Sequence, residues 1–254
     1  MTDVLVAALI GLVSGALSGL FGVGGGIVMT PGIQVLLGAA PIVALATPLP
    51  AILPTAIAGA LTYRNAGEID EQAALWMAVP GIAAAVVGAA LTRFIDTHLL
   101  LVSTAVLLAY QAVGILRTRR AGAATSAREA TTGAYVGIGI AAGFISGLLG
   151  IGGGLIMVPL LAGWLGMPLK RSLGTSLLAI VVLVIPGTIV HGWLGHIDWW
   201  IFLGITLGAV PGALVGARLA LGTQERLLRL AVGSFLLVVA VAYGLKEALA
   251  LVRG

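Results

Sequence analysis

Gly22-Val23-Gly24-Gly25-Gly26, followed by Ile27-Val28-Met29-Thr30-Pro31, returns 128 residues later as Gly150-Ile151-Gly152-Gly153-Gly154-Leu155-Ile156-Met157-Val158-Pro159. Spacing and residue type are both kept. A glycine cluster between two apolar runs breaks a helix, because glycine lacks the Cβ that restricts φ and loses the most entropy when held helical. At membrane depth such a break leaves amide and carbonyl groups that are tolerated only inside protein or against a polar cavity. Two matched breaks therefore predict a site between two halves of the chain.

Composition places these breaks in a membrane. Of 254 residues, 60% are hydrophobic and 9% charged, with a mean hydropathy of +1.16; a soluble domain carries about 25% charged residues. Several uncharged stretches approach or exceed the roughly 20 residues that cross a bilayer as a helix, and the alternating ten-residue strands of a barrel are absent. The expected class is an all-α polytopic membrane protein held in the lipid bilayer. Net charge is +4, but the basic residues lie mainly in loops, with no aromatic-interleaved basic surface, so no nucleic-acid partner is expected. There is no cysteine, and three scattered histidines give no i, i+4 ligand pair; neither a metal nor a cofactor is expected. Met1-Thr2-Asp3 lacks a basic leader and an Ala-x-Ala site, which predicts a retained N-terminus.

Around the breaks the rest of the chain repeats as well. Gly11, Gly15 and Gly19 are matched by Gly139, Gly143 and Gly147, and Ser18 by Ser146, the small-residue spacing along which membrane helices pack closely. Ile27–Leu37 and its copy Leu155–Leu165 have 11 residues each, about 16 Å as helix, too short for a hydrocarbon core of ~30 Å. Both are expected to be half-helices. Ile42–Thr62 contains Pro48, Pro50 and Pro54, which predicts a kinked or unwound start. Gly67-x-Ile69-Asp70 recurs as Gly195-x-Ile197-Asp198, and Gly88 and Leu91 recur as Gly216 and Leu219. Ala73–Thr92 and Leu99–Leu116 complete the first half; Thr132–Leu149, Ser172–Val190, Trp199–Leu219 and Leu227–Leu245 are the remaining runs of the second. The predicted organisation is a first repeat over residues 1–117, a cytoplasmic linker over 118–131 and a second repeat over 132–254, forming one membrane domain. Each repeat is expected to contain a glycine-broken short helix pair and three long transmembrane helices.

Each half has either five crossings, or three crossings and a re-entrant hairpin; both counts are odd, so the second copy is inverted. With the linker in the cytoplasm, Arg64, Arg117, Arg119, Arg120, Arg128, Lys170, Arg171, Arg218, Arg226 and Arg229 fall inside, leaving Arg93, Lys246 and Arg253 outside. Even counts would divide the 13 basic residues seven to six. The excess of Lys and Arg in cytoplasmic loops favours inversion, with both termini outside.

A half-helix starting after Gly26 or Gly154 offers free backbone N–H groups and the positive end of its dipole, which suits a small anion. Alternatively, the turn is purely structural and its amides are satisfied by the other half. Gly24, Gly25, Gly26, Gly152, Gly153 and Gly154 are the candidate substrate-binding residues. Thr47 and the pair Thr175-Ser176 follow the half-helices in the two copies; their hydroxyls either cap backbone groups or donate to a ligand. His191 lies near a helix end, where it either anchors at the interface or senses pH. No Asp or Glu falls in mid-span, so no carboxylate proton relay is expected.

At Gly22–Gly26 with Pro31, Gly150–Gly154 with Pro159, Gly174-Thr175-Ser176 and the two Gly-x-Ile-Asp loops, the chain resembles the sulfite exporter TauE/SafE family of bacterial membrane permeases. The likeness covers nearly the whole chain, and the doubled glycine motif is the specific part of it. It implies outward transport of small sulfur-containing anions such as sulfite, sulfonates or sulfoacetate across the bacterial cytoplasmic (inner) membrane. Thr47-Pro48 departs from Thr175-Ser176, so the halves need not bind substrate equivalently. The leading expectation is an alternating-access secondary transporter; an anion channel, or a permease for another small oxyanion or carboxylate, is the alternative. No nucleophile–base pair or metal-ligand set lies in the spans, so an enzyme is not expected.

Overall fold

The computed structural model describes residues 2–91, 106, 109–110, 112–113, 131–149 and 152–253. Most of the predicted helix Leu99–Leu116, the linker up to residue 130, and Gly150 and Ile151 of the second glycine cluster lie outside the described residues. Among the described residues every element is helical. In the first half these are α1 (Thr2–Phe21), α2 (Gly26–Leu36), α3 (Pro41–Ala46), α4 (Pro48–Asn65) and α5 (Glu71–Leu91). The second half holds α6 (Thr132–Leu149), α7 (Gly154–Pro159), a π-helical turn (Leu160–Trp164), α8 (Leu169–Trp193), α9 (Trp199–Gly222) and α10 (Glu225–Arg253).

Five spans among these are long and apolar enough to cross a membrane: Asp3–Phe21, Ile42–Asn65, Glu71–Gly88, Leu169–Trp193 and Trp199–Gly222. Gly26–Leu36 and Gly154–Trp164 are shorter, as the sequence predicts for the segments after each break. The two copies differ in detail. Pro31 sits inside a continuous α2, whereas after Pro159 the chain widens into a π turn, closed by the Leu165 N–H donating to the Leu160 carbonyl at 3.0 Å. The predicted interruption at the start of the proline-bearing helix is present in the first half, between α3 and α4 at Thr47. In the second half that helix is unbroken from Leu169 to Trp193, so Thr175 and Ser176 lie within it, not at its start.

The glycine stripes decide which helices pair. An added Cβ on Gly11, Gly15 or Gly19 would run into the carbonyls of Ile205, Ala209 and Ala213, and one on Gly208, Gly212 or Gly216 into those of Ala8, Leu12 and Ala16. Helices α1 and α9 are therefore in backbone contact along their length and run parallel. The same holds for α6 and α5: Gly139, Gly143 and Gly147 face the carbonyls of Met77, Gly81 and Ala85, and Gly88 faces that of Phe144. Each of these α6–α5 contacts has its counterpart 128 positions away between α1 and α9. The first helix of each half thus packs on the fifth-element helix of the opposite half, as small-residue faces allow.

Between these pairs lie α4 and α8. The loop after α4 meets the second turn of α8, where the Asp70 N–H donates to Thr175 Oγ1 at 2.9 Å, and the loop after α8 meets the start of α4, where the Asp198 N–H donates to Thr47 Oγ1 at 3.1 Å. These two matched elements consequently run antiparallel. Both loops are built alike. Gly67 (φ +73°) and Gly195 (φ +69°) take the left-handed conformation that ends a helix. The next amide, of Glu68 or His196, then reaches back to the carbonyl of Tyr63 or His191 at 2.9 and 3.1 Å. Asp198 Oδ1 accepts from the amides of Trp200 and Ile201, and Asp70 Oδ1 from that of Ala73, which caps the following helix as expected of Asp at that place. Arg171 joins the two halves at this end through Asp70 at 3.3 Å. Helix α10 is tied to the first break by the stacking of Phe235 on Phe21, with ring centroids 4.6 Å apart.

Candidate functional site

The breaks themselves are two successive left-handed glycines in each half: Gly24 (φ +82°) and Gly25 (φ +83°), Gly152 (φ +91°) and Gly153 (φ +69°). Any side chain in that conformation sets its Cβ against the following carbonyl, which is why this sequence bends here and not elsewhere in the apolar run. The second glycine of each pair starts the short helix. Gly25 O accepts from the amides of Val28 and Met29, and Gly153 O from those of Ile156 and Met157. The amides of Gly24, Gly25, Gly26 and Ile27 donate no hydrogen bond among the described residues, nor do those of Gly152, Gly153 and Leu155. The Gly154 amide is turned inward onto Gly152 O at 2.8 Å.

These two unfinished helix ends meet. A Cβ on Gly154 would strike the Gly22 carbonyl and approach Val23 Cα within 2.9 Å, so the loops of the two halves touch directly. Gly24 and Gly152 face inward onto the same two side chains, Ile52 of α4 and Ile180 of α8, both fully buried. Gly25 and Gly153 face the other way. Gly25 lies against the Ser14 carbonyl (3.2 Å) and Ser18 Cβ (3.4 Å), and Gly153 against the Ala142 carbonyl (3.1 Å) and Ser146 Cβ (3.4 Å), all measured from where a Cβ would stand. The structure brings the six candidate glycines to one centre, with Gly24 and Gly152 turned towards it and Gly25 and Gly153 braced on α1 and α6.

Thr47, Thr175 and Ser176 are fully buried, and each has a partner. Thr47 and Thr175 hold the Gly-x-Ile-Asp loops of the opposite half, as described above. Their oxygens accept there. Ser176 Oγ lies 2.9 Å from the Gly22 carbonyl and 2.8 Å from that of Leu173, which ties α8 to the first break. Thr175→Val leaves the Asp70 amide without its acceptor and is expected to lower folding stability by about 1–2 kcal/mol, with Thr175→Ser close to the parent. Thermal unfolding in detergent measures both; an unchanged Thr175→Val would show that water takes over the bond.

His191 is half-buried near the end of α8, its Nδ1 3.1 Å from Nδ1 of His196 in the following loop. One ring therefore donates and the other accepts. It also lines a cavity of about 320 Å³, with Ser146 and Gly147 of α6, Leu45 of α3 and Leu183 of α8 among the other walls. The matched position in the first half is Tyr63. There the side chain is fully buried, and its phenol donates to the Gly19 carbonyl at 2.9 Å.

Sequence reasoning did not single out Tyr63, Ile52 or Ile180. All three sit at 128-residue matches, Tyr63 to His191 and Ile52 to Ile180, so the repeat itself was the available signal. Ser18 and Ser146 did stand out, as packing residues only.

Long apolar helices and paired, facing half-helices define a multi-pass α-helical membrane protein. The chain belongs to the sulfite exporter TauE/SafE family of membrane transporters, whose profile matches residues 7–243. Among its relatives, YunE of Bacillus subtilis (strain 168) is 28% identical over 251 residues, covering 88% of this chain and 89% of its own. A protein of Xylella fastidiosa (strain 9a5c) is 31% identical, covering 91% of this chain and 90% of its own. One from Haemophilus influenzae (strain ATCC 51907 / DSM 11121 / KW20 / Rd) is 31% identical, covering 96% and 99%. All three carry the name "Probable membrane transporter protein". No solved structure matches the chain.

Proposed function

We propose that this protein is a secondary transporter that exports small sulfur-containing anions, such as sulfite, sulfonates or sulfoacetate, across the bacterial cytoplasmic membrane by alternating access. The observation that carries this reading is the meeting of the two breaks, where amides of Gly24, Gly26, Ile27, Gly152 and Leu155 are left without partners among the described residues. Several N–H groups and two positive helix ends beside one another suit an oxyanion. In this reading Gly24, Gly25, Gly26, Gly152, Gly153 and Gly154 form the backbone site, and Thr47, Thr175 and Ser176 support it from the flanking helices. The family description supports the sulfur chemistry.

Alternating access is a natural consequence of two inverted repeats, residues 1–117 and 132–254, related by a pseudo-two-fold axis in the membrane plane. The antiparallel course of α4 and α8 and the paired contacts of α1 with α9 and α6 with α5 support that arrangement. In it the linker is cytoplasmic, and each repeat makes an odd number of crossings, either five or three with a re-entrant hairpin. An anion channel would need a continuous opening; the contact of Gly154 with Gly22 and Val23, with Ile52 and Ile180 beside it, weighs against one.

Counterflow separates these readings. Proteoliposomes loaded with unlabelled sulfoacetate or sulfite and diluted into the labelled anion are expected to show a transient overshoot of label. A monotonic approach to equilibrium would indicate a channel, and no flux of any sulfur anion would remove the proposed cargo.

A further inference from the structure

We propose that Ser18 and Ser146 are a pair of cargo-facing hydroxyls presented in turn to opposite sides of the membrane, Ser146 through the cavity that is open here and Ser18 through its closed counterpart. The inference rests on the anion-transport reading and adds to it the side chains that meet the anion on its way to the breaks.

Ser146 is 7% exposed, lines the cavity of about 320 Å³, and its hydroxyl has no hydrogen-bond partner among the described residues. It also stands directly against Gly153 of the second break. A molecule entering past His191 therefore meets a free hydroxyl next to the helix end. Ser18 occupies the matched place against Gly25 of the first break, is fully buried, and its Oγ likewise has no partner. Buried hydroxyls ordinarily find partners. The sealed, unpartnered Ser18 hydroxyl and the Ser146 hydroxyl that opens on the cavity, at matched positions beside matched breaks, have a common explanation in a ligand that supplies an acceptor to each in turn. A serine O–H can donate one bond to a sulfite or sulfonate oxygen.

The walls explain why only one hydroxyl is accessible. On the Ser146 side, Gly147 and His191 both line the cavity. On the Ser18 side, Tyr63 replaces His191 and its phenol reaches the carbonyl of Gly19, the counterpart of Gly147, while Leu177 packs within 2.9 Å of where a Cβ of Gly59 would stand. The longer phenol fills the space, with this leucine set closer than its counterpart Leu49 is to Gly187 (3.3 Å). Exchange between the two faces would break the Tyr63 to Gly19 bond and open the Ser18 side as the Ser146 side closes.

The chain has no cysteine, so single Ser146→Cys and Ser18→Cys variants can be labelled with N-ethylmaleimide without background. In otherwise parental protein, Ser146→Cys is expected to react about tenfold or more faster, since a thiol sealed in apolar surroundings is unreactive. Adding Tyr63→Phe, which keeps the ring and removes the bond, is expected to raise Ser18→Cys labelling; Tyr63→Ala is expected to raise it further and slow Ser146→Cys. In proteoliposomes the double Ser18→Ala, Ser146→Ala variant is expected to lose most sulfoacetate exchange. Equal labelling of the two positions, a Ser18→Cys rate indifferent to both Tyr63 variants, or full exchange by the double alanine variant overturns the proposal. If the parent moves no sulfur anion, the cargo reading fails by itself, while the labelling order still decides whether the two serines are exposed in turn.

Discussion

Gly152→Ala is expected to reduce anion exchange about tenfold or more, as a loss of ~1.4 kcal/mol at the rate-limiting step would, in protein that still folds. The position has room, because the nearest atoms to an added Cβ are Ile52 Cδ1 and the Val23 carbonyl at 3.8 Å. What it lacks is a permitted conformation. At φ +91° an alanine carries a strain of about 1–3 kcal/mol, which is relieved by rotating the peptide units whose amides are offered to the anion. Gly24→Ala should behave likewise, with Ile52 and Ile180 at 3.4 Å. Gly153→Ala is a poorer test, since its Cβ would also press on the Ala142 carbonyl at 3.1 Å and confuse transport with packing. A well-folded Gly152→Ala protein exchanging anion at the parental rate would show that the second break's backbone does not serve the cargo.

The largest loss of stability is expected on the helix faces, well away from the breaks. Gly15→Val and Gly143→Val each drive side-chain atoms into the backbone of a partner helix, at Ala209 and Gly81 respectively. Backbone cannot swing aside as a flexible side chain can, so the helices must part along their length and lose their mutual contact. A cost of about 3 kcal/mol or more is expected, which for a chain of this size is a fall in Tm of about 6–12 °C. Gly137→Ala is the control. It lies on the same helix as Gly143 with nothing within 4 Å of its Cβ position, and should be neutral or slightly stabilising through helix propensity. Size-exclusion profiles and thermal unfolding in detergent report both; a Gly143→Val protein as stable as Gly137→Ala would mean that α5 and α6 do not pack as described.

Much of this architecture is legible from spacing alone. The 128-residue offset gives two breaks, two short helices and two similar loops, because glycine and proline act locally on the backbone wherever they stand. The stripe Gly11, Gly15, Gly19 announces a close helix contact, but not its partner. That partner is α9 of the other half, a choice made by matching Gly208, Gly212 and Gly216 across the interface, which no local pattern encodes. Thr47 and Thr175 were legible as hydroxyls at a sensitive place. That each receives an amide from the opposite half's Gly-x-Ile-Asp loop depends on the antiparallel crossing of α4 and α8. The difference between Tyr63 and His191 was visible as a mismatch in the repeat, yet its meaning is three-dimensional: one side chain reaches the carbonyl of Gly19, and the other leaves a cavity beside Gly147. The repeat shows where the halves agree, and such mismatches show where one face can be closed while the other is open.

Whether an anion sits between the two glycine breaks on their backbone amides is decided by an experimental structure of the protein with selenite, a heavier analogue of sulfite, located by its anomalous signal. A selenium peak is expected between the loops, with oxygens about 3 Å from amide nitrogens of both breaks, drawn from Gly24, Gly26, Ile27, Gly152 and Leu155. A bound selenite held elsewhere, with those amides paired to protein groups, would contradict it.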